Sequence, residues 1–142
     1  MRSEGANKDE MGQPPSAPRG KALLVFEDPK GLQFYFNILH GYGYRVRACN
    51  SYQEGLCCLG EEIFDFVIVS QGTPNFEGSG VLKRAIEINR SLPVLVVARC
   101  LDVACYLEAM QLGAVDYLVE PLTVFEISRA LESHLPLQSA GD

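Results

Sequence analysis

Hydrophobic positions fall along this chain in short blocks, separated by longer segments in which apolar residues recur at helical spacing. Four blocks, at residues 22–26, 64–69, 92–98 and 114–119, are rich in Val, Ile and Leu and bounded by turn residues. Apolar runs of this length without polar alternation predict strands buried on both faces, as in a parallel sheet. A fifth block, 44–49, sets Val46 and Ala48 against Arg45 and Arg47, the alternation of an edge strand with one wetter face. Between the blocks lie Leu32, Tyr35, Phe36 and Leu39; then Leu56 and Leu59; then Val81, Leu82, Ala85 and Ile86; then Val103, Leu107 and Met110; and finally Val124, Ile127, Leu131 and Leu135. Each set predicts a helix with the named residues facing the core. Asp28-Pro29 puts a capping residue before a proline suited to a first helical turn, and Gly113 stands where the fourth helix should stop.

Five alternations of strand and helix require right-handed crossovers and a parallel sheet covered on both faces, a doubly wound α/β fold. The expected strand order is 2-1-3-4-5. Ligands in such folds gather at the carboxyl ends of the strands, near the point where the winding reverses. The strand ends are Phe26, Glu27 and Asp28 after the first, Ser70 after the third, Ala98 and Arg99 after the fourth and Glu120 after the fifth.

Composition narrows the function classes. With 142 residues, 47% of them hydrophobic, the chain suits one domain with a single substantial core. Residues 1–20 hold Pro14, Pro15 and Pro18 and few large apolar side chains, which predicts a disordered leader. The folded domain is expected over 21–137, with 138–142 a tail or the start of a linker, which leaves open whether an output domain is attached in the parent protein. No apolar run approaches the roughly 18 residues of a membrane span, and the leader lacks the apolar centre of a secretory signal. A soluble, cytoplasmic protein is expected. The leader's charges cancel, so the net charge of -6 belongs to residues 21–142, and an acidic surface argues against direct binding of nucleic acid. Five cysteines (Cys49, Cys57, Cys58, Cys100 and Cys105) without a C-x-x-C pair indicate neither a disulfide framework nor a zinc knuckle; they read as reduced and mostly structural. His40 and His134 have no metal-ligand spacing and are expected at the surface.

From residue 21 to 135 the chain resembles the receiver domain of bacterial response regulators. The resemblance is carried by Leu23-Leu24-Val25 followed by Glu27, Asp28 and Pro29; by Gly43, Tyr44 and Val46; by Glu54-Gly55-Leu56, where Glu-Ala-Leu is usual; by Asp65 to Ser70 with Pro74 and Gly78; by Pro93-Val94; and above all by Ala109 to Pro121. That last stretch is similar to receivers joined to enhancer-binding transcription activators. The resemblance implies a flavodoxin-like (βα)5 fold and a place in signal transduction or transcriptional regulation.

The departures fall on the chemistry. Where the resemblance expects the phosphoacceptor aspartate stands Ser70; the first metal-binding acid is Phe26, and only Glu27 of the pair is acidic; the hydroxyl residue is Ala98 and the lysine is Glu120. Aspartyl phosphorylation needs a carboxylate nucleophile, a divalent cation, and a cation and hydroxyl to hold the product's charge. A carboxylate in place of the ammonium, at roughly 4 Å and an effective dielectric near 20, costs about 4 kcal/mol before screening. The reading is a pseudo-receiver, not an enzyme and without a cofactor, that acts through protein contacts, with a homodimer among the candidate assemblies.

Other readings of the same residues stay open. Glu27 and Asp28, with Glu120, are weak candidates for a hard cation, against Asp28 as a plain helix cap and Glu120 in solvent. A non-standard phosphoacceptor and a small-ligand sensor in the strand-end crevice are the rival functions. Ser70 modified by a serine kinase is set against Ser70 as an inert polar residue beside repelling acids. Tyr117 falls where receivers carry a rotating aromatic; with Ala98 as neighbour it has room to lie inward in one packed state. Leu101, Tyr106 and Phe125 are expected to be exposed on the face that receivers use for partners.

Overall fold

The computed structural model describes residues 19–134. Most of the expected leader, the tail and Leu135 lie outside the described residues. Five parallel strands, β1 (Gly20–Val25), β2 (Tyr44–Cys49), β3 (Phe66–Ser70), β4 (Val94–Ala98) and β5 (Asp116–Val119), alternate with α1 (Pro29–Gly41), α2 (Tyr52–Glu61), α3 (Ser79–Ile88), α4 (Val103–Leu112) and α5 (Val124–His134). The strand order is β2-β1-β3-β4-β5, and every neighbouring pair is parallel. This is the doubly wound flavodoxin-like fold. Strand bounds differ from the apolar blocks by one or two residues, because the blocks include apolar residues that are buried just outside the ladder, such as Phe64 and Leu92.

Side chains alternate across the sheet and build two cores. Leu23, Val25, Val67, Val69, Val94 and Val96 belong to one, together with α2, α3 and α4 residues; Ala22, Leu24, Phe66, Ile68, Leu95 and Val97 belong to the other, with Tyr35 and Leu39 of α1 and Ile127 and Leu131 of α5. Burial on both faces explains why the central strands read as continuous apolar runs.

Local signals set the helix ends. The Asp28 carboxylate accepts from the amides of Lys30 and Gly31 at 3.4 and 3.3 Å, with Pro29 opening α1. Gly113 takes φ 109°, a left-handed cap that ends α4.

The fourth helix corrects the sequence reading. Spacing assigns Val103, Leu107 and Met110 to the core, but these are 61%, 51% and 37% exposed, and α4 buries Cys105 and Ala109 instead. The helix VACYLEAMQL has a single charged residue, so it is apolar nearly all round and its periodicity does not say which stripe faces inward. Small residues win the inner face because they let α4 lie close: Ala109 is fully buried and the Cys105 thiol reaches the Pro74 carbonyl at 3.4 Å. On α5, Val124 is likewise 55% exposed. No helix among the described residues is long and apolar enough to cross a membrane.

Candidate functional site

The strand ends open on a crevice of about 470 Å³, lined among others by Phe26, Glu27, Asp28, Ser70, Arg99 and Glu120. Ala98 is buried beneath it.

Phe26 forms its floor. The ring packs on Tyr35 with centroids 4.7 Å apart, and a Cβ added at Gly31 would come within 3.1 Å of it. Close packing of α1 over β1 therefore fills, with a phenyl ring, the place at which the resemblance expects an acid.

Glu120 does not point into solvent. Half-buried, it accepts a hydrogen bond at 2.8 Å from the Tyr35 hydroxyl, and burial together with this carboxylate holds the Tyr35 phenol well above its ordinary value. The acid is satisfied from behind by a neutral donor on α1.

Ser70 is engaged too. Its hydroxyl lies 2.7 Å from that of Tyr52, which also donates to the Ser70 carbonyl at 3.2 Å. Burial raises the Tyr52 phenol, and its bond to Ser70 works in the opposite direction.

Glu27 is exposed. The carboxylate of Asp28 serves the α1 cap and lies 3.7 Å from the Arg99 guanidinium, an exposed pair worth little. These acids do not converge as a cation cage would require: Phe26 offers no oxygen, and among the described residues no group of three or more His, Cys, Asp or Glu side chains could hold a metal. The donor set does not fit a resident divalent cation.

Tyr117 lies inward, 7% exposed, and its hydroxyl donates to the Gln71 side-chain oxygen. Leu101, Tyr106 and Phe125 are 62%, 40% and 68% exposed. Tyr106 belongs to a stripe with Val103, Leu107 and Met110, spaced i, i+3, i+4, i+7 along one side of α4. Leu101 instead reaches the crevice mouth, and Phe125 lies under the Arg129 guanidinium.

Sequence reasoning missed Tyr35, Tyr52 and Gln71 as site residues. Tyr35 was claimed by the helical stripe, while Tyr52 and Gln71 carry no spacing signal; only their place beside strand ends could have flagged them. His134 also departs from expectation: it is half-buried, with Nε2 3.0 Å from Asp116 on β5.

A doubly wound sheet with its crevice at the β1, β3, β4 and β5 ends is the architecture that receiver domains share with other flavodoxin-like proteins. Residues 22–132 match the response regulator receiver domain family, and the chain belongs to it. It is 31% identical over 113 residues to the transcriptional regulatory protein ZraR of Escherichia coli K12, covering 80% of this chain and 26% of that protein. It is 25% identical over 118 residues to sporulation initiation phosphotransferase F of Bacillus subtilis, covering 82% and 95% respectively. The chain thus spans about a quarter of the regulators it resembles at the higher identity. Among solved structures, chemotaxis protein CheY4 of Vibrio cholerae aligns with a TM-score of 0.75 at 22% identity, covering 84% of this chain and 100% of that one. A receiver domain from Clostridium thermocellum aligns at 0.72 and 27%, covering 80% and 92%.

Proposed function

We propose that this chain is a pseudo-receiver: a response regulator receiver domain that works without aspartyl phosphorylation, as a cytoplasmic signalling module acting through protein contacts. The observation that carries this reading is the crevice itself. Its β3 end presents the Ser70 hydroxyl, bonded to Tyr52, and its β5 end presents the Glu120 carboxylate, bonded to Tyr35.

An alcohol is a poor nucleophile toward a phosphodonor unless a base activates it, and the partner of Ser70 is a phenol with a raised pKa. A carboxylate in the crevice repels the phosphoryl group that an ammonium would hold. On this reading the chain is not a phosphotransfer enzyme. Its net charge of -6 keeps direct nucleic-acid contact away from this domain.

Contacts run through the α4 side. Val103, Tyr106, Leu107 and Met110 form an uncharged strip on an acidic domain, so a second copy can approach there without like charges meeting. A homodimer through α4 is the assembly this reading favours, in a regulator of transcription like those the chain resembles.

The test is a ¹H–¹⁵N spectrum with and without magnesium and beryllofluoride, a mimic of an aspartyl phosphate. Cross-peaks near Ser70, Ala98 and Tyr117 are expected to stay in place. Saturable shifts there would overturn the proposal and make another carboxylate the acceptor.

A further inference from the structure

Gln71 follows Ser70 at the end of β3 and is the one amide or charged side chain that is buried among the described residues, at 3% exposure. Its backbone is pinned on both sides: the amide donates to the Val97 carbonyl at 2.7 Å and the carbonyl accepts from Gly78 at 3.1 Å. Gly78 itself sits so close that an added Cβ would fall 2.2 Å from the Ser70 carbonyl oxygen. The loop entering α3 is thus pressed against the strand end, and Gln71 has no freedom to withdraw.

The side chain bridges two elements. Nε2 donates to the Thr73 carbonyl at 3.3 Å, and Oε1 accepts from the Tyr117 hydroxyl. That hydroxyl in turn accepts from the Asp102 amide at 3.4 Å, and Asp102 is the residue whose carboxylate caps α4 through Cys105. This orientation of the amide gives every donor in the chain an acceptor, whereas the flipped one would set two acceptors against each other at Thr73 and leave the Tyr117 hydroxyl facing a second donor. The Tyr117 ring meets Tyr106 edge-on at 5.6 Å. Through its hydroxyl Tyr117 holds the first turn of α4, and through its ring it holds the middle.

We infer that Gln71 is the positioning residue for the α4 surface: it supplies the fixed acceptor that keeps Tyr117 inward, a part that Ala98, with no hydroxyl on β4, does not play. The acceptor belongs to the folded chain itself, so Tyr117 is held inward without any ligand in the crevice. A buried phenol that lost this partner would be left unsatisfied and would turn toward water, taking with it the contact that seats Tyr106 in the exposed stripe. The inference rests on the reading that α4 is the working surface only for its consequence; the bond between Gln71 and Tyr117 is tested separately.

The experiment compares Gln71→Leu, which removes the acceptor, with Tyr117→Phe, which removes the donor. The reporter is hydrogen exchange of the Asp102 amide, together with the amide signals of α4. Gln71→Leu and Tyr117→Phe are each expected to speed Asp102 exchange on the order of tenfold and to shift the α4 signals. In the Tyr117→Phe background Gln71→Leu should add no further change at α4. Tyr117→Phe, which keeps the ring, should also shift the Gln71 side-chain NH2 signals, a readout that survives even if Gln71→Leu does not fold. Unmoved Gln71 side-chain signals, or equal effects of Gln71→Leu with and without the Tyr117 hydroxyl, would overturn the inference. Beryllofluoride shifts in the parent protein would instead count against the pseudo-receiver reading and leave this bond as it is.

Discussion

Tyr35 joins two residues of the crevice, packing on Phe26 and donating to Glu120. Replacing it by Phe keeps the packing and strands a half-buried carboxylate, and the expected loss is about 1–3 kcal/mol in urea unfolding at neutral pH. The same contact has an alkaline signature. The folded pKa of Tyr35 is raised above its ordinary value of 10.0, so its contribution is complete below pH 10.0 and declines as pH rises beyond it. Phenolate absorbance should therefore show Tyr35 ionising last, after the exposed tyrosines. The cysteines give a second residue-scale prediction. Cys57 and Cys100 are exposed, whereas Cys49, Cys58 and Cys105 are buried; burial pushes the thiol of Cys49 up to about 12 and that of Cys105 up to about 11. A thiol reagent at mildly alkaline pH should titrate Cys57 and Cys100 quickly and the other three only after denaturation. Early reaction of Cys105 would mean that α4 opens.

Among the elements, α2 depends on a glycine. At Gly55 a Cβ would lie 2.8 Å from Cγ2 and 3.3 Å from Cγ1 of Val25, so α2 sits on β1 more closely than the usual Glu-Ala-Leu would allow. Ala is the better helix former by about 1 kcal/mol, and overpacking a fully buried, stiff valine costs roughly 1–3 kcal/mol. The overpacking wins, and Gly55→Ala is expected to destabilise the domain by about 1 kcal/mol in denaturant titration. The cost should shrink in a Val25→Ala background, because the two sites share one contact. A stabilising Gly55→Ala would mean that the helix shifts outward freely. The fourth helix makes the opposite point about what sequence can encode: with Glu108 its only charge, its apolar pattern has no single direction, and the choice of Cys105 and Ala109 as the inner face was made by the space left over β4 and β5.

For the whole molecule the question is whether one residue could give the proposed pseudo-receiver a phosphoryl switch. Ser70→Asp alone is expected to leave the spectrum insensitive to magnesium and beryllofluoride, because the Phe26 ring still fills the floor and the Glu120 carboxylate still faces the incoming charge. A saturable response of that single variant would show that the crevice tolerates both. Assembly is tested by sedimentation: the proposed dimer should weaken on dilution, and Leu107→Glu, which puts a charge into the exposed α4 stripe, should leave only monomer. A parent protein that stays monomeric throughout would exclude a second copy as the partner on α4.

The sequence by itself determined the architecture. Apolar blocks too short for helices, separated by helically spaced segments, admit only a parallel sheet wrapped on both faces, and Asp28, Pro29 and Gly113 mark helix ends through chemistry that acts within a few residues. It also placed Phe26, Ser70, Ala98 and Glu120 at or beside the strand ends, since a doubly wound fold brings those ends together. Tertiary structure alone decided what each of them touches. Tyr35 meets Glu120 across 85 positions and Gln71 meets Tyr117 across 46, and no periodicity records such separations. Tyr52 on Ser70, the inward seat of Tyr117 and the outward stripe of α4 follow from packing between elements, where side-chain volume and the need to satisfy buried polar atoms choose among orientations that the local pattern leaves equal.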